Sequence, residues 1–252
     1  MNLNLSSVFR IIGIAMAVIS LSMLPSVIVS FIYDDSSIYI PFLMTMLIAG
    51  AIGILLMKLC QYRMQHLKVR DGFLIVTLCW LISAILGAVP FVITDSIPHF
   101  ADAFFESCSG FSTTGSTVLA EPELLPKGIL FWRSFTHWIG GMGILIFAIA
   151  LMPSLGISGQ NIAVSEAPGP SLDKVTPKMS DTAKTLYIIY LLFTIVETIM
   201  LMLVGMSLYD SLITSFGSVG TGGLSNYSDS IGHFDSTYIR MVITAFMFLC
   251  GV

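Results

Sequence analysis

The sequence predicts an all-α membrane protein, built from two N-terminal transmembrane helices followed by two helix–loop–helix repeats, the second nearly complete. Three observations predict it: an apolar composition, six apolar runs of spanning length or near it, and two matching runs of small residues between them. Of 252 residues, 56% are hydrophobic and 10% charged, with a mean hydropathy of +0.92. Soluble domains carry roughly 25% charged residues, and a soluble chain of this size needs a more polar exterior. The natural solvent is therefore a bilayer. A formal charge of −4 gives no reason to expect nucleic acid as a partner.

A spanning helix needs about 20 mostly apolar residues. The runs fall at Val8–Tyr33, Tyr39–Cys60, Gly72–Thr94, Ile129–Met152, Thr182–Ser207 and Thr237–Val252. The first, apolar from Ile11 to Tyr33, is too long for a signal-peptide core and ends at Asp34-Asp35 rather than a small-residue cleavage site. The sixth is short and lacks a polar flank after Cys250-Gly251-Val252, so the sequence is expected to be a fragment, the N-terminal half of a longer protein. The expected divisions are 1–71 for the two extra helices, 72–152 for the first repeat, 153–181 for a connector and 182–252 for the second repeat. The connector centres on Glu166-Ala167-Pro168-Gly169-Pro170 and is expected to be a linker or a docking surface.

Basic residues set the orientation. Lys58, Arg63, Lys68 and Arg70 lie between the second and third spans, Arg10 precedes the first, and Lys174, Lys178 and Lys184 precede the fifth. The opposite loops carry Asp34, Asp35, Asp95, Glu121, Glu123, Asp229 and Asp235. The positive-inside rule then puts the N-terminus in the cytoplasm.

The outer loops after the third and fifth spans share an organisation. Each opens with a short helical stretch, Asp102–Phe111 or Tyr209–Phe216, too short to cross a membrane and bearing an acid near its start. Each continues into small residues: Ser112-Thr113-Thr114-Gly115-Ser116-Thr117, and Gly217-Ser218-Val219-Gly220-Thr221-Gly222-Gly223. Laid over each other at an offset of 105, Phe111 meets Phe216, Thr113 meets Ser218, Gly115 meets Gly220 and Ser116 meets Thr221. A repeated architecture is stronger evidence than either loop alone. Irregular backbone at membrane depth is tolerated where it lines a watery path, and extended carbonyls can replace the water shell of a cation. The candidate ion-lining residues are Thr113, Thr114, Gly115 and Ser116 from the first loop, and Ser218, Val219, Gly220 and Thr221 from the second.

Two acids at membrane depth are further candidates. Glu197 lies inside the fifth span, where a carboxylate is expensive. Glu106, in the first short helix, is placed either to add negative field near the loop or to hold the helix against its neighbours. Arg133 and Arg240, at the start of the helices after each loop, are expected to be snorkelling interface anchors. Gly140, Gly141 and Gly143 suit close helix packing. Cys60, Cys79, Cys108 and Cys250 have no metal-ligand or disulfide pattern and suit packing, and His66, His99, His137 and His233 have no ligand spacing.

The run Phe104-Phe105-Glu106-Ser107-Cys108-Ser109-Gly110-Phe111-Ser112-Thr113-Thr114-Gly115 resembles the first pore loop of TrkH-type potassium transporters, and so does Arg133 to Ile144 with its Gly140-Gly141-Met142-Gly143. Glu166 to Pro170, Thr176-Pro177-Lys178, Asp181-Thr182-Ala183-Lys184 and Gly220-Thr221-Gly222-Gly223 fit the same family, so the resemblance runs the whole length. It implies helix–pore-loop–helix repeats around one pore, four in a full chain, with two extra helices in front. It also implies potassium as the transported ion, no covalently bound cofactor and no other metal. The implied setting is a homodimer in the lipid of the bacterial inner membrane, with a TrkA-like nucleotide-binding regulatory subunit on the cytoplasmic side. The alternatives are a secondary cation symporter or a non-conducting membrane subunit. An intramembrane enzyme is not expected, because no nucleophile–base pair or His-Glu-x-x-His pattern lies in the spans.

Overall fold

The computed structural model describes residues 5–34, 36–60, 69–151 and 179–251, and every regular element among them is helical. The expected connector lies outside the described residues as far as 178, and 179–181 belong to the helix that follows. Arg63, His66, Lys68, Lys174 and Lys178 also lie outside them.

The first expected span is two helices, α1 (Leu5–Ser22) and α2 (Leu24–Tyr33). Pro25 occupies the first turn of α2; it offers no N–H, and its ring opposes the carbonyl four residues back, so the helix breaks at Met23. α3 (Ser36–Leu59) returns beside α1. Gly13 and Gly53 bring the two backbones so close that a Cβ on either would stand 2.7 Å from the other's carbonyl oxygen. Such contacts are how helices associate in lipid, where apolar side chains gain little by leaving the solvent. α4 (Val69–Ile93), the short α5 (Phe100–Phe111) and α6 (Lys127–Leu151) form the first repeat, and α7 (Met179–Leu203), the short α8 (Leu208–Val219) and α9 (Thr237–Gly251) the second.

Among the described residues, four helical stretches are long and apolar enough to cross a membrane: Leu5–Tyr33, Ser36–Leu59, Asp71–Ile93 and Lys184–Leu203, with Thr237–Gly251 a shorter apolar helix. Their outer faces carry exposed Phe31, Leu47, Leu203 and Phe248, while Glu106, Arg133, His137 and Glu197 are buried. Apolar outside and polar inside is the arrangement a lipid solvent selects.

α6 is the central strut. It packs against α2, α5, α7 and α8, and Ile129 and Trp132 are fully enclosed. Trp132 Nε1 donates to the Gly87 carbonyl of α4 at 3.0 Å. Its first turn is capped from outside: the Asp34 carboxylate, at the end of α2, accepts from the backbone N–H groups of Lys127 at 3.0 Å and Gly128 at 2.7 Å. A carboxylate there satisfies two otherwise unpaired donors and complements the positive end of the helix. Thus the extra N-terminal helices fix the height of α6, and α6 in turn carries both loops.

Candidate functional site

The short helices α5 and α8 are each 12 residues, about 18 Å long at 1.5 Å per residue, which is too little to span. Each has an aspartate in its first turn, Asp102 and Asp210. α8 is also capped by Ser207, whose hydroxyl accepts from the Asp210 N–H at 3.1 Å.

Both helices end in the same way, and their ends correct the expected register. Ser112, Thr113 and Thr114 donate their N–H groups to the carbonyls of Cys108, Gly110 and Ser109 at 2.9, 3.0 and 3.0 Å. Gly220, Thr221 and Gly222 donate to Phe216, Ser218 and Gly217 at 3.0, 3.1 and 3.0 Å. The pattern is a Schellman ending, with the residue after the cap in the left-handed region. That residue is Thr113 at φ +54° in one repeat and Thr221 at φ +57° in the other, and two residues later come Gly115 at +77° and Gly223 at +72°. Phe111 therefore matches Val219, Thr113 matches Thr221, and Gly115 matches Gly223. The offset is 108 residues, and the 105-residue overlay is wrong by nearly one helical turn. The expected Tyr209–Phe216 helix continues to Val219, so Ser218 and Val219 are its buried last turn and Gly220 its cap. Thr113 and Gly115 are half-buried and Thr114 and Ser116 exposed; in the second loop Thr221 and Gly223 are exposed and Gly222 half-buried.

A β-branched residue at positive φ is an outlier, and such positions cost on the order of 1–3 kcal/mol each and cluster at functional sites. The same residue type carries the same strain in both repeats. The loops also touch: a Cβ on Gly115 would overlap the carbonyl oxygen of Gly222.

One face of α6 runs between them. Arg133, Thr136, His137, Gly140 and Gly141 have the i, i+3, i+4, i+7, i+8 spacing of a single helix face. A Cβ on Gly140 would overlap the Phe111 carbonyl at the end of α5, and one on Gly141 would lie 3.3 Å from the Gly220 Cα. The expected close-packing role of these two glycines is met against the ends of the two short helices and, for Gly141, the Tyr190 hydroxyl, 2.7 Å from its Cβ position; Gly143 has no neighbour within 4 Å of its Cβ position.

Arg133 departs from the expected interface anchor. Its side chain is 2% exposed, and its Nε donates to Glu106 Oε1 at 2.5 Å. Its Nη1 donates to the Ser225 carbonyl at 2.7 Å. The other bonds to the Glu106 carboxylate come from the Thr117 hydroxyl at 2.9 Å and the Val118 N–H at 3.0 Å. One buried ion pair therefore ties α5, both loops and α6 together. Of the two roles expected for Glu106, the geometry favours holding the helix. Arg240 is half exposed, 4.0 Å from Asp235, in keeping with a surface position.

Glu197 lies on α7, fully buried, with neither oxygen hydrogen-bonded among the described residues. Its helix face also carries Tyr190, whose hydroxyl donates to the Trp138 carbonyl at 3.0 Å, and Thr198, which bonds Ser215 of α8 at 3.0 Å. α7 thus backs the second short helix. Outside the spans, Glu123 Oε1 accepts from the Ser228 hydroxyl at 2.9 Å and Oε2 from the Ser228 N–H at 3.1 Å, linking the two outer loops. Its own backbone N–H and the Ser228 hydroxyl hold its carboxyl below the ordinary glutamate value. A cavity of about 440 Å³ flanks the second loop, lined by Ser218, Thr221, Gly222, Asn226, Tyr227 and Ile243 among others. No group of metal-ligating side chains occurs among the described residues.

The sequence reading missed Arg133, His137 and Asp34 as site-building residues. The helical spacing of the α6 polar face was the available signal for the first two. Nothing local marks Asp34, because its partners lie 93 and 94 residues away.

A family model described as TrkH, cation transport protein, matches residues 38–252. The Trk system potassium uptake protein TrkH of Vibrio parahaemolyticus is 40% identical over 246 residues, covering 96% of this chain and 50% of that protein. The TrkH of Escherichia coli K12 is 39% identical over 252 residues, covering 99% and 52%. An uncharacterized cation transporter of Methanocaldococcus jannaschii is 31% identical, covering 99% and 51%. The crystal structure of the potassium transporter TrkH from Vibrio parahaemolyticus superimposes with a TM-score of 0.84 at 37% identity, over 97% of this chain and 49% of that one. The chain spans about half the length of the curated relatives it matches.

Proposed function

Since the chain belongs to the TrkH family of cation transport proteins, we propose that it lines one side of a potassium-uptake pathway across a bacterial inner membrane. Thr113, Thr114, Gly115 and Ser116 offer backbone carbonyls from the first repeat, and in the 108-residue register Thr221, Gly222, Gly223 and Leu224 offer them from the second. The carrying observation is the pair of identical helix endings, with threonine and then glycine in left-handed conformation in both loops. Left-handed residues in an otherwise extended strand turn successive carbonyls towards one side, where they replace the hydration shell of a cation. The C-terminal ends of α5 and α8 bear partial negative charge beside the same loops and favour a cation there. Two such loops make half of a four-part ring, so the other half comes from further chain or from another copy.

The positive-inside distribution supports a cytoplasmic N-terminus. The segment 153–181 then faces the cytoplasm, where it suits contact with a TrkA-like nucleotide-binding subunit, and the intact protein works as a homodimer. The repeats cover 72–152 and 182–252 behind the two extra helices of 1–71, their first helices opening slightly earlier, at Val69 and Met179.

Rubidium-tracer uptake in potassium-uptake-deficient bacteria tests the proposal, with the chain expressed from its full native reading frame. Wild type is expected to restore uptake, and Gly115→Asp, which drives a carboxylate into the Gly222 carbonyl, to abolish it while still reaching the membrane. Wild-type rates in Gly115→Asp would overturn the assignment of the loop. A second reading, a proton-coupled cation symporter, draws on the fully buried Glu197. It requires uptake to follow the proton gradient and Glu197→Gln to remove that dependence.

A further inference from the structure

We propose that the His137 imidazole is a positioning residue that holds the second loop at its working distance from the first and so sets how tightly the pathway binds its cation. The inference rests on the transport reading above. His137 lies on α6, fully buried, and neither ring nitrogen has a hydrogen-bond partner among the described residues. A ring that served only to fill space would be better replaced by hydrocarbon, because burying unpaired polar atoms costs free energy.

The contacts of the ring say what it does. A Cβ added to Gly222 would overlap Nδ1 and Cε1 and stand 2.5 Å from Cγ, so the imidazole lies directly against the loop backbone. The Gly222 carbonyl oxygen in turn meets Gly115, where a Cβ would overlap it. Gly222 thus contacts both the rigid aromatic ring and the first loop. The same His137 reaches α5, with Cδ2 3.7 Å from the Cβ position of Gly110, and its backbone oxygen lies 3.0 Å from the Cβ position of Gly220. One residue therefore touches the end of the first short helix, the cap of the second and the middle of the second loop.

The ring also has a fixed footing. Arg133, one turn earlier on the same face, is held by Glu106 at 2.5 Å and by the Ser225 carbonyl at 2.7 Å, so α6 does not slide relative to either loop. Gly222, unlike Thr221 and Gly223 beside it, is not at positive φ. Its lack of a side chain is required by the imidazole and not by its own backbone. Removing the ring frees Gly222 to move away from Gly115 and widens the separation of the carbonyls that meet the ion.

The test is concentration-dependent rubidium uptake, with sodium as competitor, by the protein from its full native reading frame, normalised to monodisperse protein extracted from the membrane. His137→Ala is expected to raise KM for rubidium about tenfold with a smaller change in maximal rate, as loss of a contact worth about 1.4 kcal/mol in binding. His137→Gln, which keeps comparable volume and polar atoms, is expected to stay within about twofold of wild type. Gly222→Ala is expected to lose uptake, and His137→Ala in the same chain to restore it at least in part, because the added methyl then occupies the vacated space. Three results would overturn the inference: an unchanged KM in His137→Ala, equal defects in His137→Ala and His137→Gln confined to maximal rate, or no rescue of Gly222→Ala. No uptake by wild type sinks the transport reading instead, so the two failures are distinguishable.

Discussion

Replacing Arg133 by methionine keeps much of the hydrocarbon stem and removes the charge that faces Glu106. The carboxylate is then left on a side chain that is 0% exposed, with the Thr117 hydroxyl and the Val118 N–H as its remaining donors. Removing one partner of a buried pair costs about 3–5 kcal/mol, because the other charge stays desolvated and uncompensated. That is a large share of the roughly 5–15 kcal/mol that separates folded from unfolded states in ordinary domains. The Ser225 carbonyl loses its donor in the same step, and Ser225 directly follows the second loop, so uptake is expected to fall with stability. Glu106→Gln alone strands the guanidinium and is expected to cost a similar amount. The double variant Glu106→Gln with Arg133→Met buries neither charge, and is expected to be more stable than the sum of the singles predicts by at least 2 kcal/mol or so. Unfolding of the purified protein in detergent, followed by tryptophan fluorescence, measures all four corners of the cycle. Single variants that each cost under about 1 kcal/mol, or a double variant additive to within about 0.5 kcal/mol, would refute the clamp.

Thr221→Gly removes a β-branched side chain from φ +57°. Relief of about 1–2 kcal/mol, less about 0.5–1 kcal/mol for the extra freedom of an unfolded glycine, leaves a small gain in thermal stability. Gly223→Ala has no neighbour within 4 Å to strike, so its expected loss of about 1 kcal/mol is purely conformational; a melting curve that moved the other way in either variant would contradict the assigned backbone. Glu123 supplies a pH dependence. Its folded value lies below the ordinary 4.5, so the bond to Ser228 is fully present above pH 4.5 and is lost as the pH falls through the depressed value. A carboxyl-carbon NMR titration is expected to give a midpoint below 4.5 that rises in Ser228→Ala, and an unmoved midpoint would argue against the link between the outer loops.

The spans were legible because lipid imposes length and composition on any helix that crosses it, and each expected run has a helix at its centre, although the fifth, expected to reach Ser207, ends at Leu203. The break at Met23 was not read, although Pro25 carried the signal. The short helices and the small-residue loops were legible as a repeat, and the register was not. Matching Gly115 to Gly220 compared letters. Gly217, Ser218 and Val219 are poor helix formers on intrinsic propensity, which favoured ending α8 at Phe216. Packing reverses that preference: Ser218 and Val219 are buried, and the Ser218 hydroxyl donates to the Thr214 carbonyl inside the helix. The helix ends where the Schellman hydrogen bonds close, at Gly220.

Composition and hydropathy by themselves determined that this chain lives in a membrane as helices, because every backbone group in lipid must be paired within its own segment. Local sequence also determined that two loops of small residues interrupt those helices, since only small residues let backbones meet. Tertiary structure alone decided which residues of the loops are equivalent, and that Arg133 is buried with Glu106 instead of reaching for the interface. It alone decided that His137 bears on Gly222 and that Asp34 caps α6. A short-range pattern specifies which face a residue occupies. What waits opposite that face comes from 27 residues away for Arg133, 85 for His137 and 93 for Asp34, and that partner fixes whether a polar side chain is an anchor, a clamp or a cap.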